Sequence, residues 1–214
     1  MKALVSAEIE AYASAHSMGE SDVCRALREE THRRMDVPQM LVGPLEGAFL
    51  KLLTQIVGAA HVLEIGMFTG YSALCFAEAL PKEGTVTTCE INDTSAALAR
   101  GYFAASAHGH KITVHMGPAL ETMQRLESRY DLIFIDADKQ NYLNYYRRAK
   151  ELLTGKGVIV VDNVLWNGDV LLHPPPDDRT AAIQELNRTV AADRDMSSVL
   201  LTIRDGVLLI RRKC

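Results

Sequence analysis

Four cysteines are present in 214 residues, and Cys24, Cys75, Cys89 and Cys214 show no CxxC spacing. That absence argues against a structural zinc site and against a disulfide framework. Cys75 and Cys89 fall in apolar-periodic segments and are expected as buried thiols. The glycine signature GxGxxG is missing, so a tight pyrophosphate cradle is not expected. No run approaches the ~20 apolar residues of a membrane helix. The first residues carry Glu8 and Glu10 and no apolar stretch of signal-peptide length, which makes a reducing cytoplasm the expected location. A dominant sign of charge is lacking too. Lys and Arg number 23 against 27 Asp and Glu, a formal net charge of -4, so no long-range field gathers nucleic acid or an anionic membrane. The basic clusters Arg33-Arg34, Arg147-Arg148 and Arg211-Arg212-Lys213 read as solvated ends of elements.

What is present is an ordinary globular composition, 48% hydrophobic and 23% charged, on a chain long enough for one α/β domain with a full core. Residues 1–214 read as a single domain, with an N-terminal helical cap over 1–58 and an α/β core over 59–214. Residues 3–36 suggest two amphipathic helices broken near Ser17-Met18-Gly19, Ser21 capping the second. Pro38 and Gly43-Pro44 mark a turn before a helix from Leu45 to Gly58. Strands are expected at 61–65, 85–90, 111–115, 131–136 and 157–162, separated by helices at 71–80, 94–107, 118–127 and 140–153. Such alternation implies a parallel sheet with helices on both faces. A loop from Leu165 to Pro176 leads to a helix at 178–193 and two strands at 198–203 and 206–212. Asp205-Gly206 between them is a hairpin signal, which makes the last strand antiparallel. Pro174-Pro175-Pro176 stiffens the loop without dividing the chain.

Two of these strands end abruptly in oxygen-bearing side chains. Asp131-Leu-Ile-Phe-Ile-Asp136-Ala-Asp138-Lys139 and Val158-Ile-Val-Val-Asp162-Asn163 each run from a buried, β-rich stretch into carboxylates or an amide. Open parallel sheets hold ligands at the carboxyl ends of their strands. Asp136, Asp162 and Asn163 would together offer a hard-oxygen set suited to Mg²⁺ rather than zinc. The competing reading makes each a helix or turn cap.

A second constellation lies at the first strand. Val62-Leu-Glu64-Ile-Gly66-Met-Phe68-Thr-Gly70-Tyr71-Ser72 runs from strand to helix with GxxxG spacing, and Gly66 and Gly70 allow close backbone approach to a ligand. Glu64 would repel a pyrophosphate and suits an ammonium group instead. Glu90 ends the second strand, where an acid accepts ribose hydroxyls.

With these residues in hand, the chain resembles a class I S-adenosylmethionine-dependent methyltransferase of the cation-dependent O-methyltransferase family, which includes catechol and caffeoyl-CoA O-methyltransferases. The segments that carry the likeness are VLEIGMFTGYSAL (62–74), CEIND (89–93), MGPALE (116–121), FIDADKQNY (134–142) and VVDNVLWNGDV (160–170). The resemblance implies a Rossmann-like α/β fold, a seven-stranded, mostly parallel sheet with an antiparallel C-terminal strand and helices on both faces. It implies that Glu64, Gly66, Met67, Phe68 and Ser72 line the methionine portion of the cofactor, Glu90 the ribose and Ala119 the adenine. Asp136, Asp162 and Asn163 resemble metal ligands for Mg²⁺, Mn²⁺ or Ca²⁺, and Lys139 stands where a general base is expected, with Asp136 as the other catalytic group. Asp138 and Tyr145 match further cofactor contacts, and Asn167, with Trp166, substrate contacts. At Met40-Leu41-Val42 the plant pattern has hydroxyl residues and this chain does not, which leaves Val42 a backbone contact only.

The implied reaction is Mg²⁺-dependent methyl transfer from S-adenosylmethionine to a hydroxyl of a catechol or hydroxycinnamoyl small molecule. Trp166, Leu165 and the proline loop would form a dry wall against the ring. A homodimer is the assembly that the resemblance implies, with the N-terminal helices and the 165–176 loop covering the substrate mouth or forming the dimer face. A tRNA-hydroxyuridine methyltransferase and a non-catalytic cofactor-binding protein are the alternatives. The acidic balance counts against the first, and the Asp136, Lys139, Asp162, Asn163 set against the second.

Overall fold

The computed structural model describes residues 5–213; Cys214 and residues 1–4, where the first helix was expected to begin, lie outside the described residues. Apolar β-branched runs form strands β1 (His61–Ile65), β2 (Thr85–Glu90), β3 (Ile112–Met116), β4 (Tyr130–Ile135), β5 (Leu153–Asp162), β6 (Met196–Leu201) and β7 (Val207–Arg212). They make one sheet in the order β3-β2-β1-β4-β5-β7-β6. Neighbours from β3 to β5 pair in parallel, and β7 runs antiparallel to both β5 and β6. Helices α1 (Ala7–Ala15), α2 (Asp22–Arg34), α3 (Gly43–Val57), α4 (Tyr71–Ala79), α5 (Asp93–Ala105), α6 (Ala119–Arg125), α7 (Tyr142–Leu152) and α8 (Asp178–Ala192) complete the fold.

Strand alternation splits the core into two layers. On β4, Leu132 and Phe134 join one apolar cluster with Leu27 of α2, Leu50 of α3, Leu74 of α4 and Phe103 of α5. Ile133 and Ile135 face the other way, against Met123 of α6, Tyr146 of α7 and Leu186 of α8. Helices therefore cover both faces. Residues of the expected cap share the first cluster with β1, so the cap is packed into the domain core. Ser21 does cap α2, its hydroxyl oxygen accepting from Cys24 N at 3.3 Å.

Two strand boundaries differ from the expectation for reasons of pairing. The strand expected at 198–203 is β6, two residues earlier, because Leu201 opposes Val207 and leaves 202–206 as the turn. β5 begins at Leu153, which pairs with Tyr130 across a register shift before Val158 meets Leu132. A 3-10 turn, Lys139–Asn141, precedes α7. The expectation that no stretch reaches membrane-spanning length is also corrected. Pro38–Val57, 20 residues, is long and apolar enough by length and composition alone. Its inner face is not uniformly apolar, however: Glu46, Lys51 and Thr54 are buried there beside Leu50, and Lys51 pairs with Glu78 of α4.

Chain direction across the sheet reverses between β1 and β4, and there the backbone loops come into contact. Asp136 N donates to Ile65 O at 2.9 Å. Gly66 follows with φ +94°, and a Cβ on it would lie 2.0 Å from Asp136 O. Only glycine fits that approach. Gly66→Ala is expected to cost about 3 kcal/mol or more, read as a lowered urea midpoint at unchanged m-value; an unchanged midpoint would show that the two loops do not need this contact.

Candidate active site

The carboxyl ends of β1, β2, β4 and β5 open into a cavity of about 960 Å³, closed over by residues of the N-terminal cap, including Met35, Val37 and Met40, and by Trp166. This is the position in an open parallel sheet where ligands bind.

One half of the cavity follows the glycine loop. Gly66, Met67, Phe68, Ser72, Glu90 and Ala119 all line it, as do Val42, Asp138 and Tyr145. Glu90 at the tip of β2 organises the floor: Oε2 accepts from Phe68 N at 2.6 Å, and Oε1 accepts from Ile91 N and Asn92 N at 2.9 and 2.7 Å. Those bonds hold Phe68 at φ 51°. Tyr145 donates its hydroxyl to Asp138 Oδ1 at 2.5 Å, bracing the β4 loop against α7. Val42 lines the wall, and its carbonyl accepts from Arg204. Glu64 is buried next to this loop. Its side chain alternates with Leu63 and Ile65, has no exposed surface, and lies outside the cavity wall with Oε2 accepting from Thr88 Oγ1 at 2.5 Å.

The other half gathers the oxygens. Because Ile135 and Val161 are register partners, the next residues, Asp136 and Asp162, stand side by side. Asn163 follows at φ 57°. Its backbone N and Nδ2 donate to the two oxygens of Asp162 at 2.7 and 3.0 Å. The Lys139 ammonium lies among them, 2.9 Å from Asp136 Oδ1 and 2.8 Å from Asn163 Oδ1, and also donates to Tyr142 Oη. Tyr142, with no exposed surface, donates its own hydroxyl hydrogen bond to the main-chain oxygen of Asp162 at 3.0 Å. Burial pushes the Asp162 carboxyl above the usual carboxylate range, and Asp136 pushes the same way; Lys139 and Arg204 pull it back. An ammonium already bridges two of these oxygens, and all three candidate ligands are hard oxygen donors. Such a set fits Mg²⁺, Mn²⁺ or Ca²⁺ and not a sulfur- or imidazole-seeking metal.

Trp166, at φ 47°, lines the cavity with its ring centroid 5.7 Å from Lys139 Nζ. Asn167 does not line it: its backbone N donates to Asp205 Oδ1 at 2.6 Å, which ties the loop to the β6–β7 turn. Sequence reasoning missed Glu46, Arg204, Tyr142 and Arg179. Glu46 is a carboxylate inside an apolar helical turn, a signal legible in Leu45-Glu46-Gly47-Ala48-Phe49. Arg204 sits in a turn read only as a hairpin marker, and Arg179 at the cavity rim carried no signal at all.

Similarity to known proteins follows the same lines. The profile of the O-methyltransferase family matches residues 14–213. Caffeoyl-CoA O-methyltransferase 1 of Arabidopsis thaliana is 37% identical over 179 residues, 78% of this chain and 69% of that protein. The O-methyltransferase TomG of Streptomyces achromogenes, involved in tomaymycin synthesis and solved with SAM, superimposes with TM-score 0.89 at 28% identity, over 97% of this chain and 96% of that one. An O-methyltransferase of Bacillus cereus solved with SAH gives TM-score 0.89 at 30% identity, over 96% and 97%.

Burial pushes the Glu64 carboxyl up to about 8 from its ordinary 4.5, although the hydroxyls of Ser72 and Thr88 favour the charged form. A folded-state value above the unfolded one stabilises the fold fully below the unfolded pKa, and that contribution disappears as pH rises through the folded pKa. The melting temperature should therefore fall between about pH 5 and 8, by an amount corresponding to a few kcal/mol. Glu64→Gln should flatten that fall in a differential scanning series. Parallel parent and variant curves would remove Glu64 as the source.

Proposed function

Because the chain belongs to the O-methyltransferase family, we propose that it transfers the methyl group of S-adenosylmethionine to one hydroxyl of a catechol-type small molecule, with a divalent cation held by Asp136, Asp162 and Asn163. The observation that carries this reading is the Lys139 ammonium lodged between Asp136 Oδ1 and Asn163 Oδ1 at the base of the cavity. Two adjacent carboxylates and an amide oxygen there call for positive charge. When bound, a dication supplies the Lewis acidity that lowers the pKa of the hydroxyl to be methylated.

Lys139 is the residue placed to take the phenolic proton at Nζ. Its tether to Tyr142 keeps the amine beside the reacting oxygen when its bonds to Asp136 and Asn163 are given up. Gly66, Met67, Phe68 and Ser72 surround the methionine end of the cofactor, with Val42 across from them; Glu90 suits the ribose hydroxyls and Ala119 the adenine. Asp138 and Tyr145 brace the same side. Holding nucleophile and methyl donor in line contributes roughly 7–11 kcal/mol toward the barrier. Trp166, Val37 and Met40 line the cavity and would screen bound reactants from water, which favours a transfer that neutralises a sulfonium. A second copy of the chain is the proposed partner, and Leu52 and Ile56 on the outer face of α3, 50% and 72% exposed, would give it an apolar surface.

Incubation with S-adenosylmethionine, Mg²⁺ and a panel of catechols and hydroxycinnamoyl thioesters should yield a monomethylated catechol by mass spectrometry. Chelator treatment should lower the rate about 100-fold or more, and Mg²⁺ should restore it. Full turnover by the chelated protein would rule the cation out, whereas salt-sensitive tRNA binding with no diphenol turnover would point to a nucleic-acid substrate. Lys139→Ala should lower kcat about 10²–10⁴-fold; an unaltered rate from pH 6 to 9 would mean another base.

A further inference from the structure

Beside the oxygen set lies an ion pair that the proposed chemistry does not use, a buried carboxylate against a partly exposed arginine. Glu46 has no exposed surface, and its Oε2 lies 3.0 Å from Arg204 Nη1. Its Oε1 is buried without a hydrogen-bond partner among the described residues. Arg204 comes from the β6–β7 turn at φ 47°, 158 residues away in sequence, and also donates to Val42 O. Desolvation offsets most of the attraction in a buried ion pair, so stability alone is a weak reason for one. Register explains its location. Asp162 opposes Val207, just past the turn, so the turn carries Arg204 to the Asp162 side of the cavity. Asp162 and Asp136 are both electrostatic neighbours of Glu46, and Arg204 is one of Asp162.

An arginine that tethers Val42 from this turn brings a positive charge next to a site meant for a dication. Glu46, paired with the guanidinium and absent from the cavity wall, offsets that charge from outside the cavity; burial and Asp162 push its carboxyl well above the usual range, and Arg204 draws it back toward the ionised form. We infer that Glu46 and Arg204 are a positioning pair that sets the affinity of the Asp136–Asp162–Asn163 group for its divalent cation, Arg204 weakening it and Glu46 restoring it. The inference rests on the cation reading of the site.

The two residues then act with opposite sign, which a merely structural clamp would not do. Mn²⁺ binding to the full chain, followed by loss of the free-ion electron paramagnetic resonance signal without cofactor or substrate, measures this apart from turnover. E46Q should bind Mn²⁺ about tenfold more weakly than the parent, through like-charge repulsion by the uncompensated guanidinium. R204Q should bind about tenfold more tightly, and E46Q/R204Q within about threefold of the parent. Equal affinity of E46Q and parent, or a similar loss in both single variants, overturns the inference. If E46Q does not fold, the double variant and R204Q make the same comparison, and equal affinities of those two overturn it. A parent that takes up no Mn²⁺ defeats the cation reading itself; a parent that binds, with no opposite-sign response, defeats only the role of the pair.

Discussion

Two carboxylates at neighbouring strand tips, inside a protein, demand positive charge between them. β4 and β5 run parallel and in register, so Asp136 and Asp162 are adjacent by construction. Asp162 is 2% exposed, and in that setting repulsion and desolvation both oppose its charge. The Lys139 ammonium answers this by bridging Asp136 and Asn163, and Tyr142 links it to the main chain of the second strand tip. In the proposed reaction a dication takes the place of that ammonium and Lys139 serves as the base.

Backbone strain is concentrated around the same place. Phe68, Asn163, Trp166, Asn167 and Arg204 are the non-glycine residues with positive φ among those described. Asparagine tolerates this region; Phe, Trp and Arg do not adopt it readily, at a cost of about 1–3 kcal/mol each. Specific acceptors maintain the conformations. Glu90 takes Phe68 N, Asp205 takes Asn167 N through its side chain and Leu165 N through its carbonyl, and the turn residue Gly206 supplies its carbonyl to Val164 N. The β6–β7 hairpin therefore does more than finish the sheet. Its turn holds the loop that follows the second strand tip.

The strand tips were legible because their signal is local. An apolar run ending in Asp136, or in Asp162-Asn163, states both its burial and its polar end, and a parallel sheet collects such ends on one side. The glycine loop was legible for the same reason, since Gly66 marks a close approach wherever its partner lies. Glu64 shows what the motif leaves to the fold. It belongs to the matched segment, yet strict alternation with Leu63 and Ile65 turns it under α4, beside Thr88, its register partner on β2. Asn167 sits in a short irregular stretch with no period to orient a side chain, and its loop geometry decided the matter.

By itself, then, the order of residues determined the α/β alternation, the antiparallel last strand, the glycine loop after the first strand and the carboxylates at two strand ends. Each follows from periodicities of a few residues and from the turn chemistry of glycine and proline. Only the tertiary structure decided that Glu46 meets Arg204, that Val42 gives its carbonyl to that arginine, and that Lys139 settles between Asp136 and Asn163. Pairing between side chains far apart in sequence, and the aim of a side chain in an irregular loop, depend on strand register and helix packing, which no local pattern contains.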